Sequence, residues 1–313
     1  MPELSKVPEF QRCQNQAPVH HVHGIHPHSF VVCQANTVVA CKFCGSKNII
    51  KHGFKKEAQQ YLCHDCGRVF TEKDTPEDKQ TSTAIIATAM SLFFDGVSTE
   101  KISQEIANIY HKAIDQSTVY RWIIEYSKKA SAFLDTLKPN LSDTWIVDET
   151  VVSVAGVNVW YWDVIDEGTR YLIETHLSER RTIADVRILF EHCKKRAARP
   201  PRFILSDGLR AYIDGIEQVY GADAHHIVAK GLTAEINTNL IERFHSTLKE
   251  RYRVLRGLKT METTHVILDG FVANYDLFRP HMTLGNITPA QVAGIKLPFT
   301  KWEGFIRYYE VNN

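Results

Sequence analysis

From Thr144 onward three β-rich runs follow one another closely, and helices and strands then alternate. Residues 145–152 and 158–165 flank a turn at Gly156, and residues 170–176 form a third run after the turn Asp166-Glu167-Gly168. Alternating β-branched and aromatic residues suit a pleated, partly buried surface. A helix is expected over 182–197, apolar at Ile183, Val186, Leu189 and Phe190, and Pro200-Pro201 ends it. Residues 202–207 read as a short buried strand ending on an acid. Another helix, a strand at 224–229 and a long basic helix at 239–255 follow.

Three antiparallel strands followed by alternating helices and strands match an α/β core of ribonuclease-H-like arrangement, a sheet with helices on both faces. Its expected span is 140–260. Three acids stand where such a core could bring them together. Asp148 lies mid-strand, Asp207 ends a strand, where α/β sheets place their ligands, and Glu242 opens the long helix. Carboxylates so gathered suit phosphoryl transfer, in which hard oxygens hold two Mg²⁺ (or Mn²⁺) ions about 4 Å apart. Spacing alone leaves other acids open. Glu149 points to the opposite strand face from Asp148, which makes it a poor substitute. Asp163 lies mid-meander and Asp166 in a turn, and both rank lower.

Upstream, Cys41-Lys-Phe-Cys44 and Cys63-His-Asp-Cys66 are separated by eighteen residues, and each pair is followed by a glycine. Two such pairs deliver four thiolates to one structural Zn²⁺, and the β-rich stretch between them makes residues 41–70 a zinc ribbon. So small a unit has little core of its own, and the ion is expected to hold it together. After an acidic linker, residues 80–130 read as three short helices. Ser98 caps the second, and Asp115 or Ser117 starts the third. A third helix opening on Gln116, Ser117, Thr118 and Arg121 makes this a candidate helix-turn-helix whose exposed start would meet DNA. The plainer alternative is a three-helix bundle with Tyr120 and Trp122 in its core.

Residues 1–40 hold five histidines within nine positions and several prolines without periodic apolar residues, which reads as a disordered His-rich leader. Residues 261–313 read as a C-terminal helical extension. Cys193 is expected in the core, His225-His226 as strand-end packing, and Trp160, Tyr161 and Trp162 on the sheet faces. The net charge is +1, yet residues 41–70 and residues 236–260 each carry six Lys/Arg against two Asp/Glu. Local basic patches of this kind are compatible with nucleic acid. With no long apolar run and no basic-then-apolar start, the expectation is a cytoplasmic, nucleoid-associated protein that does not engage a membrane.

Together these motifs resemble the DDE transposases of insertion sequences that carry a retroviral-integrase-like core, most nearly the insertion-sequence-six family. The resemblance spans about residues 80–295. It rests on Ile146-Val147-Asp148-Glu149-Thr150, on Ser206-Asp207-Gly208 with Ala211-Tyr212, and on Asn239-Leu240-Ile241-Glu242-Arg243-Phe244-His245 with Lys249. The tail Arg279-Pro280-His281-Met282-Thr283-Leu284-Gly285 and Thr288-Pro289-Ala290 extend it. Between the three acids lie 58 and 34 residues. The resemblance implies Asp148, Asp207 and Glu242 as catalytic metal ligands. It also implies cleavage at element ends with strand transfer into target DNA, and a homodimer or larger assembly on the terminal inverted repeats. Lys249, two turns beyond Glu242, shares its helix face and would contact DNA phosphate. The alternatives are a ribonuclease-H-like nuclease or integrase, and a domesticated DNA-binding regulator.

Overall fold

In the computed structural model the described residues are 39–55, 58–71, 74–76, 79–228, 239–253 and 258–312. The His-rich leader therefore lies outside them, apart from its last two residues. From Ala40 the chain forms one compact unit.

Its centre is a five-stranded mixed sheet. Strands β4 (Thr144–Val154), β5 (Val157–Asp166) and β6 (Leu172–Ser178) form the antiparallel meander, and β7 (Phe203–Ser206) and β8 (His225–Val228) add in parallel, in the order β6-β5-β4-β7-β8. The β4–β5 hairpin closes through Ala155-Gly156, both at positive φ (50° and 81°). That two-residue turn matches the twist of the strands and fixes their register. Val154 pairs with Val157, and counting outward brings Asp148 opposite Asp163.

Strand alternation separates two cores. Trp145, Val147 and Trp162 face one side of the sheet, where they pack with α4 (Ile183–Arg196) and α5 (Arg210–Tyr220) through Val186, Leu189, Phe190, Cys193 and Tyr212. Ile146, Val152 and Tyr161 face the other side. There they join α6 (Asn239–Tyr252) and α7 (Met261–Ala273), and the same core continues into α1 (Thr83–Phe94), α2 (Thr99–Tyr110) and α3 (Gln116–Thr136). A sheet covered by helices on both faces fits the ribonuclease-H-like expectation.

Several boundaries follow from local chemistry. Thr182 and Asp185 form a capping box at the start of α4, and Asp115 accepts from the Ser117 N–H at the start of α3. Helix α3 is longer than the short helix expected, because Tyr126, Ala130 and Leu134 continue its buried stripe. Residues 261–312 are mostly helical, with non-helical connections between the helices. Helix α7 packs against α3, and after the short α8 (Pro289–Val292) the last helix, α9 (Trp302–Asn312), packs against α1. At the other end, β1 (Ile49–Lys55), β2 (Ala58–Cys63) and β3 (Val69–Thr71) make a small antiparallel sheet with one strand more than expected. Among the described residues no helix is long and apolar enough to cross a membrane.

Candidate functional site

The parallel pairing of β4 with β7 sets Ile146 beside Leu205, so two residues further on Asp148 and Asp207 are level. Strand β7 has ended by then. Gly208 (φ 88°) turns the chain toward α5 so close to β8 that a Cβ there would meet the Val228 side chain at 2.6 Å. The Leu209 N–H donates to Asp207 Oδ1 at 2.9 Å and holds the exposed acid in place.

Asp148 is largely buried, its side chain 17% exposed. Burial pushes its carboxyl up to about 7, with Asp163 and Glu149 adding to the rise and His245 opposing it. Desolvated negative charge of this kind suits a cation.

Asp148, Glu149 and Asp207 each offer a carboxylate oxygen within 4.8 Å of the others, a group that could hold a metal ion. Glu149 does point to the α5 side of the sheet, as alternation requires, yet its oxygen still reaches this cluster. Its two oxygens are engaged, one by the Arg181 guanidinium and the other by the Tyr212 hydroxyl. Arg181 in turn lies over the Trp160 ring, 4.8 Å from its centroid. Sequence reading missed both Arg181 and Tyr212 as partners.

Glu242 is exposed in the first turn of α6 and is not part of that cluster. Its helix is nonetheless docked on Asp148. His245, one turn along on the same stripe, approaches Asp148 Oδ2 with Nδ1 at 3.5 Å and binds Asp163 Oδ2 with Nε2 at 2.6 Å. Burial alone would lower the imidazole, but Asp163 and Asp148 raise it overall. Burial raises the Asp163 carboxyl, and His245 counters that. Lys249, exposed, follows one turn after His245 on the same stripe. Asp166 is accounted for otherwise: it accepts from the backbone and hydroxyls of Ser142 and Thr169, clamping the turn before β6.

Cys41, Cys44, Cys63 and Cys66 gather at the base of the small sheet. Their Sγ atoms are 3.6 Å apart for Cys41–Cys66 and 3.5 Å for Cys44–Cys63. Tetrahedral thiolates at about 2.3 Å from a zinc ion would be separated by roughly 3.8 Å, so the set fits such an ion. On α3, Gln116, Ser117 and Arg121 are exposed and Thr118 is half-buried, while Val119, Trp122 and Ile123 are buried. Arg121 folds back on its own helix, donating to the Ser117 carbonyl and the Thr118 hydroxyl. Cys193 is buried, and His226 bonds the Ser206 hydroxyl at 2.7 Å. A cavity of about 390 Å³ lined by Asp135, Glu174, His192, Arg196 and Asp269, among others, lies apart from the carboxylates.

No curated protein matches the chain. Among solved structures, it is similar to the HTLV-2 integrase catalytic core domain in complex with magnesium, at 14% identity and TM-score 0.39 over 50% of this chain and 98% of that one. It is also similar to the BIV integrase catalytic core, at 16% identity and TM-score 0.37 over 49% and 93%. A simian T-cell lymphotropic virus intasome chain matches at 10% identity and TM-score 0.39 over 68% and 77%. Residues 142–281 match the family model for the DDE domain of IS240-type transposases, a span that holds Asp148, Asp207 and Glu242. Through these residues the chain carries a DDE domain, that of a metal-dependent polynucleotidyl transferase.

Proposed function

We propose that the protein cleaves DNA strands at the ends of its element and joins them to target DNA, with Asp148, Asp207 and Glu242 as the metal-binding acids. The observation that carries this reading is the level placement of Asp148 within β4 and Asp207 just past the end of the neighbouring β7, with α6 held against Asp148 by His245. Glu242 takes precedence over Glu149 because Arg181 and Tyr212 already occupy the Glu149 oxygens. Two Mg²⁺ ions bound there would activate a water or 3′-hydroxyl and stabilise the leaving oxygen. Asp148 and Asp207 present oxygens from the sheet, where the backbone is rigid, and Glu242 presents one from a helix end. Lys249 lies further along the α6 stripe, placed to neutralise a DNA phosphate. Hydrolysis and transesterification differ only in the nucleophile, so one site serves both and no side chain need form a covalent bond to DNA.

The four cysteines hold one structural Zn²⁺. Helices α1 to α3 act as a helix-turn-helix whose exposed opening, Gln116, Ser117, Thr118 and Arg121, meets the terminal repeats. Two element ends in one reaction call for a dimer or larger assembly. The test is incubation of purified protein with Mg²⁺ and duplexes carrying the sequences that flank its gene. Nicked ends with free 3′-hydroxyls and strand-transfer products are expected, and Asp148→Asn, Asp207→Asn and Glu242→Gln should each lose both while still binding DNA. Cleavage without joining would point to a hydrolytic nuclease, and binding without cleavage to a regulator.

A further inference from the structure

Asp148 and Asp163 are direct cross-strand partners on the same face of the β4–β5 hairpin. Side chains so placed have Cβ atoms about 4.5–5.5 Å apart, and like charges there repel. Asp163 has no exposed surface, and its Oδ1 has no hydrogen-bond partner among the described residues. A carboxylate serving only to fill this position would be a costly choice, since Val or Thr would fill it without desolvating a charge.

What relieves the repulsion is His245. Buried to 5% exposure, it enters from α6 between the two acids. One ring nitrogen is within hydrogen-bond distance of Asp163, which fixes the ring plane. The other faces Asp148 at 3.5 Å, an ion-pair rather than a hydrogen-bond distance. The same ring fixes the rotation of α6, and so the direction in which Glu242, one turn earlier, is presented.

We propose that Asp163 and His245 are a positioning pair that orients Asp148, and with it α6, for metal binding. The proposal rests on the reading of Asp148 as a metal ligand. Partners one shell out from a metal ligand commonly govern affinity by 10–100-fold, and that is the effect expected here.

The variants separate orientation from bulk packing. In His245→Gln the amide can replace Nε2 toward Asp163 but leaves nothing at Nδ1. Asp163→Asn keeps its shape and removes the charge that holds the ring. Mn²⁺ binding to the full chain is measured by electron paramagnetic resonance, beside thermal melting and circular dichroism of the metal-free protein. Both variants are expected to keep the wild-type dichroism spectrum and to bind Mn²⁺ roughly 10–100-fold more weakly. Cleavage should recover in part as Mn²⁺ is raised, whereas Asp148→Asn should not recover. If one variant does not fold, the other carries the test. Wild-type Mn²⁺ affinity in a folded His245→Gln or Asp163→Asn protein would overturn the positioning role while leaving the metal site intact. Equal Mn²⁺ binding by wild type and Asp148→Asn would overturn the metal-site reading, and the pair's role with it.

Discussion

Glu149 is the acid most able to mislead, and replacing it separates structural from chemical roles. Its side chain is 3% exposed, and it holds Arg181, whose side chain is 33% exposed, together with the buried Tyr212 hydroxyl. Hydrogen bonds to a charged group contribute about 1.5–3 kcal/mol each and neutral ones about 0.5–1.5. Glu149→Gln keeps an oxygen that accepts from Arg181, turns the other contact into an amide N–H that donates to the Tyr212 hydroxyl oxygen, and water reaches Arg181 in part. The expected loss is therefore about 1–2 kcal/mol, or roughly 2–8 °C in melting temperature for a unit of this size. Arg181→Ala should cost more, about 3 kcal/mol, because it leaves a buried carboxylate without its cation. The assay pairs thermal melts of both variants with Mn²⁺ titration. If Glu149 is structural, Glu149→Gln still binds Mn²⁺, no more than about 10–100-fold more weakly than wild type, since no ligand is lost. Abolished Mn²⁺ binding with an unchanged melting temperature would refute the reasoning and make Glu149 a metal ligand.

Two further predictions concern other parts of the molecule. Relative to wild type, the Cys41→Ser/Cys63→Ser protein should lose one equivalent of bound zinc, and amides of β1 to β3 should lose hydrogen-exchange protection while those of β4 and α4 keep it; full zinc retention would contradict the tetrathiolate site. Burial, with Arg279 and Arg170 nearby, lowers His281 from 6.5 to about 4. Between those pH values the unfolded chain binds the proton and the folded chain does not, so stability falls as pH drops through that window and is untouched above it. His281→Phe keeps an aromatic ring against Tyr275, 4.4 Å away in the native pair. It should flatten the melting-temperature profile on that acid limb, and parallel wild-type and variant profiles would count against the argument.

Much of the sheet was legible because its strands alternate or run apolar within short bounded stretches, and each is flanked by Gly, Pro or Asp turns. The positions of Asp148 and Asp207 were legible for the same reason: one lies within a strand and the other directly follows one. The cross-strand pairing of Asp163 with Asp148 has a signal in the sequence. A two-residue turn at Ala155-Gly156 fixes the register, and the seventh residue out on each strand is an aspartate. In the sequence His245 stands out only as part of a motif, because a buried histidine declares its role through partners distant in sequence. Arg181 and Tyr212 could not be matched to Glu149 for that reason too; they come from the loop before α4 and from α5. The length of α3 is not legible in the sequence because its later buried positions pack against elements far along the chain.

The most direct test of the central claim is the anomalous scattering of Mn²⁺ in crystals of the protein bound to DNA. The account predicts density for manganese held by Asp148 and Asp207, with Glu242 turned in as the third acid and Glu149 still paired with Arg181. Manganese held by Asp148, Glu149 and Asp207 with Arg181 displaced and Glu242 directed away, or no manganese at these acids, would contradict it.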